Sequence, residues 1–139
     1  MYLVRIKMKP KEKQAVKEMR EKLPKVWGKP FEMYEFHIEK EEVDAVLDVL
    51  HGMAEIVGSD PEDKLDPEHV VSRLVSKFLD FSREVVKLTW KEIQMLRLSL
   101  ETYLENIELS ELHDQRELQR FFFCVKAYIK LVNTLEVKQ

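Results

Sequence analysis

Residues 66–100 read DPEHVVSRLVSKFLDFSREVVKLTWKEIQMLRLSL, a stretch with the apolar spacing of packed helices. After Pro67 neither proline nor glycine occurs again before the end of the sequence at Gln139. Apolar residues recur throughout at alternating three- and four-residue spacings, the period of a helix packed along others. From Asp66 onward the chain therefore reads as helical bundle, with everything upstream docked on it. Asp66-Pro67 supplies an N-cap and a proline at the first helical position. The helix that follows, over 67–88, carries the stripe Val71, Leu74, Phe78, Phe81, Val85 and Leu88. Thr89-Trp90-Lys91-Glu92 matches a capping box, in which hydroxyl and carboxylate satisfy each other's backbone donors. It opens a helix over 90–108 with the stripe Ile93, Leu96, Leu100, Tyr103 and Ile107. Continuing the earlier register would place Glu92 and Met95 at the seam, so the phase slips by one residue near Thr89. The reading is a break there; a kinked continuous helix is the alternative, since no glycine or proline enforces a stop.

Ser110 starts the last helix, over 111–135, whose stripe is Leu118, Phe121, Val125, Tyr128, Val132 and Leu135, widened by Phe122 and Ile129. Phe121-Phe122-Phe123 covers about 200° of a helix at 100° per residue. Three such rings cannot all face one neighbour. Either this helix is central or Phe123 faces a partner, and the three phenylalanines are the candidate oligomer interface.

Upstream, a helix over 40–57 has Val43, Val46, Leu47, Leu50, Met53, Ala54 and Val57 on one face and Gly58 at its C-terminal cap. Residues 59–65 are a polar loop containing Pro61. Tyr2, Val4, Ile6 and Met8 alternate with Leu3, Arg5 and Lys7, the pattern of a half-buried strand. Pro10 suits a first helical turn, Ala15, Val16, Met19 and Leu23 give a narrow apolar stripe, and Pro24 ends that helix. Trp27-Gly28-Lys29-Pro30 is a turn, and 31–38 is a second strand with Tyr34, Phe36 and Ile38 on one side. The expected fold is α+β and predominantly α, a single domain over 1–139. An N-terminal strand–helix–strand head (1–38) packs on a bundle of about four helices (39–139).

Hydrophobic residues at 45% and charged residues at 35% exclude wholesale disorder, and 139 residues suffice for a core. Glu and Lys dominate the charged set, a bias that suits ion-pair networks at high temperature and points to a thermophilic source. Cys124 is the sole cysteine, so no intramolecular disulfide forms. The first residues carry charges inside their apolar run, unlike a signal peptide, and no stretch approaches the ~20 apolar residues of a membrane span. A soluble, cytoplasmic protein is expected.

The net charge of −3 conceals an asymmetry. Residues 1–30 carry ten Lys/Arg against three acids, a net of +7, and the remainder carries 13 against 23, a net of −10. Arg5, Lys7, Lys9, Lys11, Lys13, Lys17, Lys25 and Lys29, with Trp27 available for stacking, form a candidate surface for nucleic acid, another polyanion or a partner. The plainer reading sets the head against its own acidic body or in solvent. Leu88 to Glu92, with Leu96-Arg97, superficially resembles the opening of a two-component-type DNA-binding helical domain. The glycine-bearing turn and recognition helix are missing, and capping alone explains the Thr and Glu.

Asp44, Asp48, His51 and Glu55 share one helix face at i, i+4, i+7 and i+11, half of what a metal site between helices needs. The Glu-x-x-His partner pattern is absent, and this face lies away from Val43, Leu50 and Val57, so a solvated stripe is the reading and no metal is assigned. His37, His69 and His113 are scattered, without a recurring partner spacing. Cys124 lies mid-helix among aromatics, the setting of an inert buried thiol. No Gly-rich loop, nucleophile elbow or CxxC occurs, so no catalytic residue, cofactor or small-molecule ligand is expected. The expected function is a non-enzymatic protein–protein interaction or regulatory protein, homodimeric or bound to another protein. Nucleic-acid binding by the basic head is the alternative.

Overall fold

The computed structural model of the chain describes residues 33–58, 66, 68–81, 84–107 and 112–137, with Pro10, Gln14, Val16 and Glu21. In order these form β1 (Met33–His37), α1 (Lys40–Gly58), α2 (Val70–Leu79), β2 (Val85–Thr89), α3 (Trp90–Asn106) and α4 (Gln115–Val137). The fold is α+β and predominantly helical, a two-stranded antiparallel sheet set against four helices among the described residues.

β1 follows its alternation. Tyr34, Phe36 and Ile38 are buried while Met33, Glu35 and His37 are exposed. Its antiparallel partner is β2, with Tyr34 opposite Leu88 and Phe36 opposite Val86, and the Ile38 N–H donates to the Glu84 carbonyl at 3.0 Å. These opposed pairs put four apolar side chains on the inner face, where cross-strand contact stabilises a sheet. The Phe36 ring meets Phe78 of α2 edge-on, at 6.4 Å between centroids.

β2 corrects the expectation of a helix over 67–88. α2 ends at Leu79, and Val85-Val86-Lys87-Leu88-Thr89 is strand. Val85 and Leu88 fit a three-residue helical spacing, but Val86 and Leu88 also alternate inward as a strand does, and β-branched residues favour the extended form. The phase slip near Thr89 is the junction of strand and helix. The capping box is present as expected: the Thr89 side chain accepts from the Glu92 N–H at 3.2 Å, and the Thr89 N–H donates to Glu92 Oε1 at 2.7 Å.

The start of α2 also differs. Pro67 lies outside the described residues, and the helix begins at Val70 rather than directly after Asp66. The Asp66 carboxylate still caps it, accepting from the Val70 and Val71 N–H groups at 2.9 Å each. His69 makes the intervening bend at φ 54°, an unfavourable region for a residue with a Cβ, held by the bonds on either side of it.

Glu92 fastens this junction to α2. Its side chain is 1% exposed, and Lys77 Nζ lies 2.6 Å from Oε1 while also donating to the Lys87 carbonyl at 2.9 Å. Burial alone would raise the Glu92 pKa. The hydrogen bonds from Lys77 and the Thr89 N–H outweigh burial and hold it below the ordinary glutamate value.

α1 is buried on more than the one face read from its stripe. Glu42, Ala45, Val49 and Gly52 are buried beside Val43, Val46, Leu50 and Met53, because α2, α3 and α4 all pack on it. α3 is likewise buried around most of its girth, and Ser99 and Thr102 enter the interior by donating to the Met95 and Leu98 carbonyls of their own helix. Of the basic head, the expected strand over 2–8 lies outside the described residues. In the expected helix over 10–23, Pro10, Gln14, Val16 and Glu21 are helical, and Val16 is buried in the common core. No helix among the described residues is long and apolar enough to cross a membrane.

Candidate functional site

α4 has two apolar faces, and they differ in what covers them. The inner one consists of Cys124, Ala127, Leu131 and Leu135, all buried, with Arg120 buried beside them. This departs from the expected inner stripe: Leu118 is 52% exposed, and Val125 and Val132 are half-buried. Small residues at the seam let α4 approach α1 closely, and the Cys124 thiol donates to the Ala45 carbonyl at 3.7 Å. Arg120 can be buried because Asp48 of α1 meets it, Nε to Oδ2 at 3.0 Å. Lys130 Nζ reaches Glu42 Oε1 of α1 at 2.6 Å, and the Tyr128 hydroxyl donates to Glu101 Oε1 of α3 at 2.6 Å.

Between α1 and α4 lies an open cleft of about 440 Å³, walled by Glu41, Asp44 and Asp48 on one side and Arg116, Gln119, Arg120 and Phe123 on the other. Asp48 and Arg120 pair across it at 3.0 Å, so part of its charge is already neutralised within the fold. Burial pushes the Cys124 thiol up to about 12, against the opposing pull of Arg120, and burial likewise raises the Tyr103 phenol. Both groups stay protonated near neutral pH, and a protonated thiol is a poor nucleophile.

The acidic stripe on α1 is divided between two environments. Asp48 is engaged with Arg120, Asp44 and Glu55 are exposed, and His51 is half-buried. No group of three or more His, Cys, Asp or Glu that could hold a metal ion occurs among the described residues. His37, His69 and His113 are all exposed. His69 lies immediately before α2, and His113 precedes α4.

The outer face of α4 is the unusual surface. Leu118, Phe122, Val125, Ile129 and Val132 follow one another at spacings of four, three, four and three residues. Leu118, Phe122 and Ile129 are 52%, 57% and 53% exposed, and Val125 and Val132 of the same stripe are half-buried. The phenylalanine run divides accordingly. Phe121 and Phe123 are half-buried against the core, and Phe122 points outward. The ring facing solvent is thus Phe122, where the sequence alone suggested Phe123. Lys126 Nζ lies 5.5 Å from the Phe122 centroid and 5.9 Å from that of Phe123, a cation–π contact along the edge of the stripe.

Of the other candidate residues, Arg5, Lys7, Lys9, Lys11, Lys13, Lys17, Lys25, Lys29 and Trp27 lie outside the described residues. Leu118, Val125, Ile129 and Val132 belong to the inward stripe expected from the sequence, and their four–three spacing with Phe122 marks a second stripe. Two apolar registers overlap on this helix, and only tertiary contact tells them apart. No family model matches the chain, and no curated protein or solved structure matches it.

Proposed function

We propose that the protein is a non-enzymatic interaction protein that works as a homodimer, with the outer face of α4 as its contact surface. One observation carries this reading: Leu118, Phe122 and Ile129, aligned along one helix face, are each more than half exposed. A helix whose other side is already packed normally turns polar residues to water. Continuous exposed apolar surface marks a place where another protein sits. The test is the mass in solution, by light scattering across a dilution series. The reading expects a species of twice the 16.6 kDa chain mass at high micromolar concentration. A strict monomer there contradicts it.

A second reading rests on charge. The net +7 of residues 1–30 favours binding of nucleic acid through Arg5, Lys7, Lys9, Lys11, Lys13, Lys17, Lys25 and Lys29. It expects a labelled mixed-sequence DNA or RNA to bind at about 50 mM salt and to release steeply by about 200 mM. Flat titrations at the lower salt contradict it.

A further inference from the structure

We infer that the second copy lies with its α4 antiparallel to the first, Leu118 of one chain level with Ile129 of the other and Phe122 level with Val125. This rests on the reading of α4 as a self-association surface and gives that surface its geometry. The stripe 118, 122, 125, 129, 132 alternates four and three residues, an average of 3.5 that keeps an apolar seam facing a partner helix. No seam position from Leu118 to Val132 is charged.

Orientation follows from side-chain size. In a parallel pair each seam residue meets its own copy, so Phe122 opposes Phe122 in one layer and Val125 opposes Val125 in the next. One layer is overfilled and its neighbour underfilled, which close packing penalises from both sides. In the antiparallel pair Phe122 meets Val125 twice and Leu118 meets Ile129 twice, giving four layers that each hold two unlike apolar residues. The helix dipoles then oppose. Lys126 falls beside Gln119 of the other copy, so like charges do not meet across the flank. Because the contact is two-fold, it closes at a dimer rather than running on as a filament. A seam of this length buries on the order of 1,000 Å² in total, the low end for specific association, so dissociation in the micromolar range is expected.

Cysteine cross-linking tests the arrangement. Leu118→Cys and Ile129→Cys are made separately in the full chain, one with a mass tag, and oxidised mildly at about 200 μM, where the dimer should be populated. In the antiparallel pair the two copies of residue 118 are about 16 Å apart, beyond disulfide reach, while 118 and 129 are level. The mixture should therefore give cross-linked heterodimer at least about tenfold above either variant alone. Phe122→Cys mixed with Val125→Cys, checked for native circular dichroism, repeats the test in a neighbouring layer. If each variant cross-links with itself instead, the antiparallel geometry is overturned and self-association stands. If no pair cross-links and the wild type is monomeric by sedimentation at the same concentration, the geometry and the dimer reading fail together.

Discussion

The two faces of α4 have comparable apolar length and opposite surroundings. Inside, Cys124, Ala127, Leu131 and Leu135 are at most 9% exposed and flanked by charged anchors to α1; outside, Leu118, Phe122 and Ile129 exceed half exposure. The inner face is built from small and mixed residues because α1 lies against it and supplies Asp48 and Glu42. On the outer side Leu118, Phe122 and Ile129 stay exposed, whereas Phe121, Phe123 and Tyr128 of the same helix pack against the core. On this helix hydrophobicity by itself does not identify the core. What identifies it is the charge that a neighbour has come to meet.

Cutting one side chain from each face separates core from surface. Leu131→Ala removes fully buried volume and should lower stability by about 2–5 kcal/mol in urea unfolding. Ile129→Ala, two residues away, should change monomer stability by no more than about 0.5 kcal/mol. Equal losses would mean that both faces belong to the fold.

Next in size is the anchor between α4 and α1. Glu42 is completely buried while the Lys130 side chain is 35% exposed, so Glu42→Gln leaves an ammonium that can turn toward water. The expected cost is about 1–2 kcal/mol, read as a shift of the urea midpoint at unchanged slope. A stabilised variant would show that the pair serves register rather than stability.

Thiol chemistry sharpens the contrast without altering the core. Cys124, fully buried and with its pKa pushed to about 12, should alkylate at pH 8 at least about a hundredfold more slowly in the folded chain than in urea. A cysteine introduced by Leu118→Cys should react at nearly the unfolded rate in the dilute monomer. Rapid native labelling of Cys124 would place the inner face within reach of solvent.

Much of this fold was legible in the sequence where the signals are local. The alternation of Tyr34, Phe36 and Ile38, the Thr89–Glu92 capping box and the extent of α1 each depend on residues within one or two turns. β2 was not legible, because five residues satisfy helical and strand periods alike and its partner β1 lies far upstream. The inner face of α4 was hidden by Arg120, which reads as a surface residue until Asp48, 72 positions earlier, is brought to it. With Arg120 placed outside, Leu118 and Val132 read as interior, and the outer seam merges into the core stripe. The α4 site was therefore present in the spacing but unassignable without the contact that fixes the other face.

The smallest change in stability should accompany the largest change in association. Phe122→Glu puts a charge at a position that is already 57% exposed, so its unfolding midpoint should stay close to that of the wild type. Sedimentation equilibrium of the two proteins side by side, from about 10 to 500 μM, tests the account most directly, since this range brackets the affinity of a small interface. The wild type is expected to pass from monomer to dimer within it, and Phe122→Glu to remain monomeric with its fold intact. A wild type that stays monomeric throughout, or a variant that dimerises as well as the wild type, would contradict the assignment of the outer face of α4.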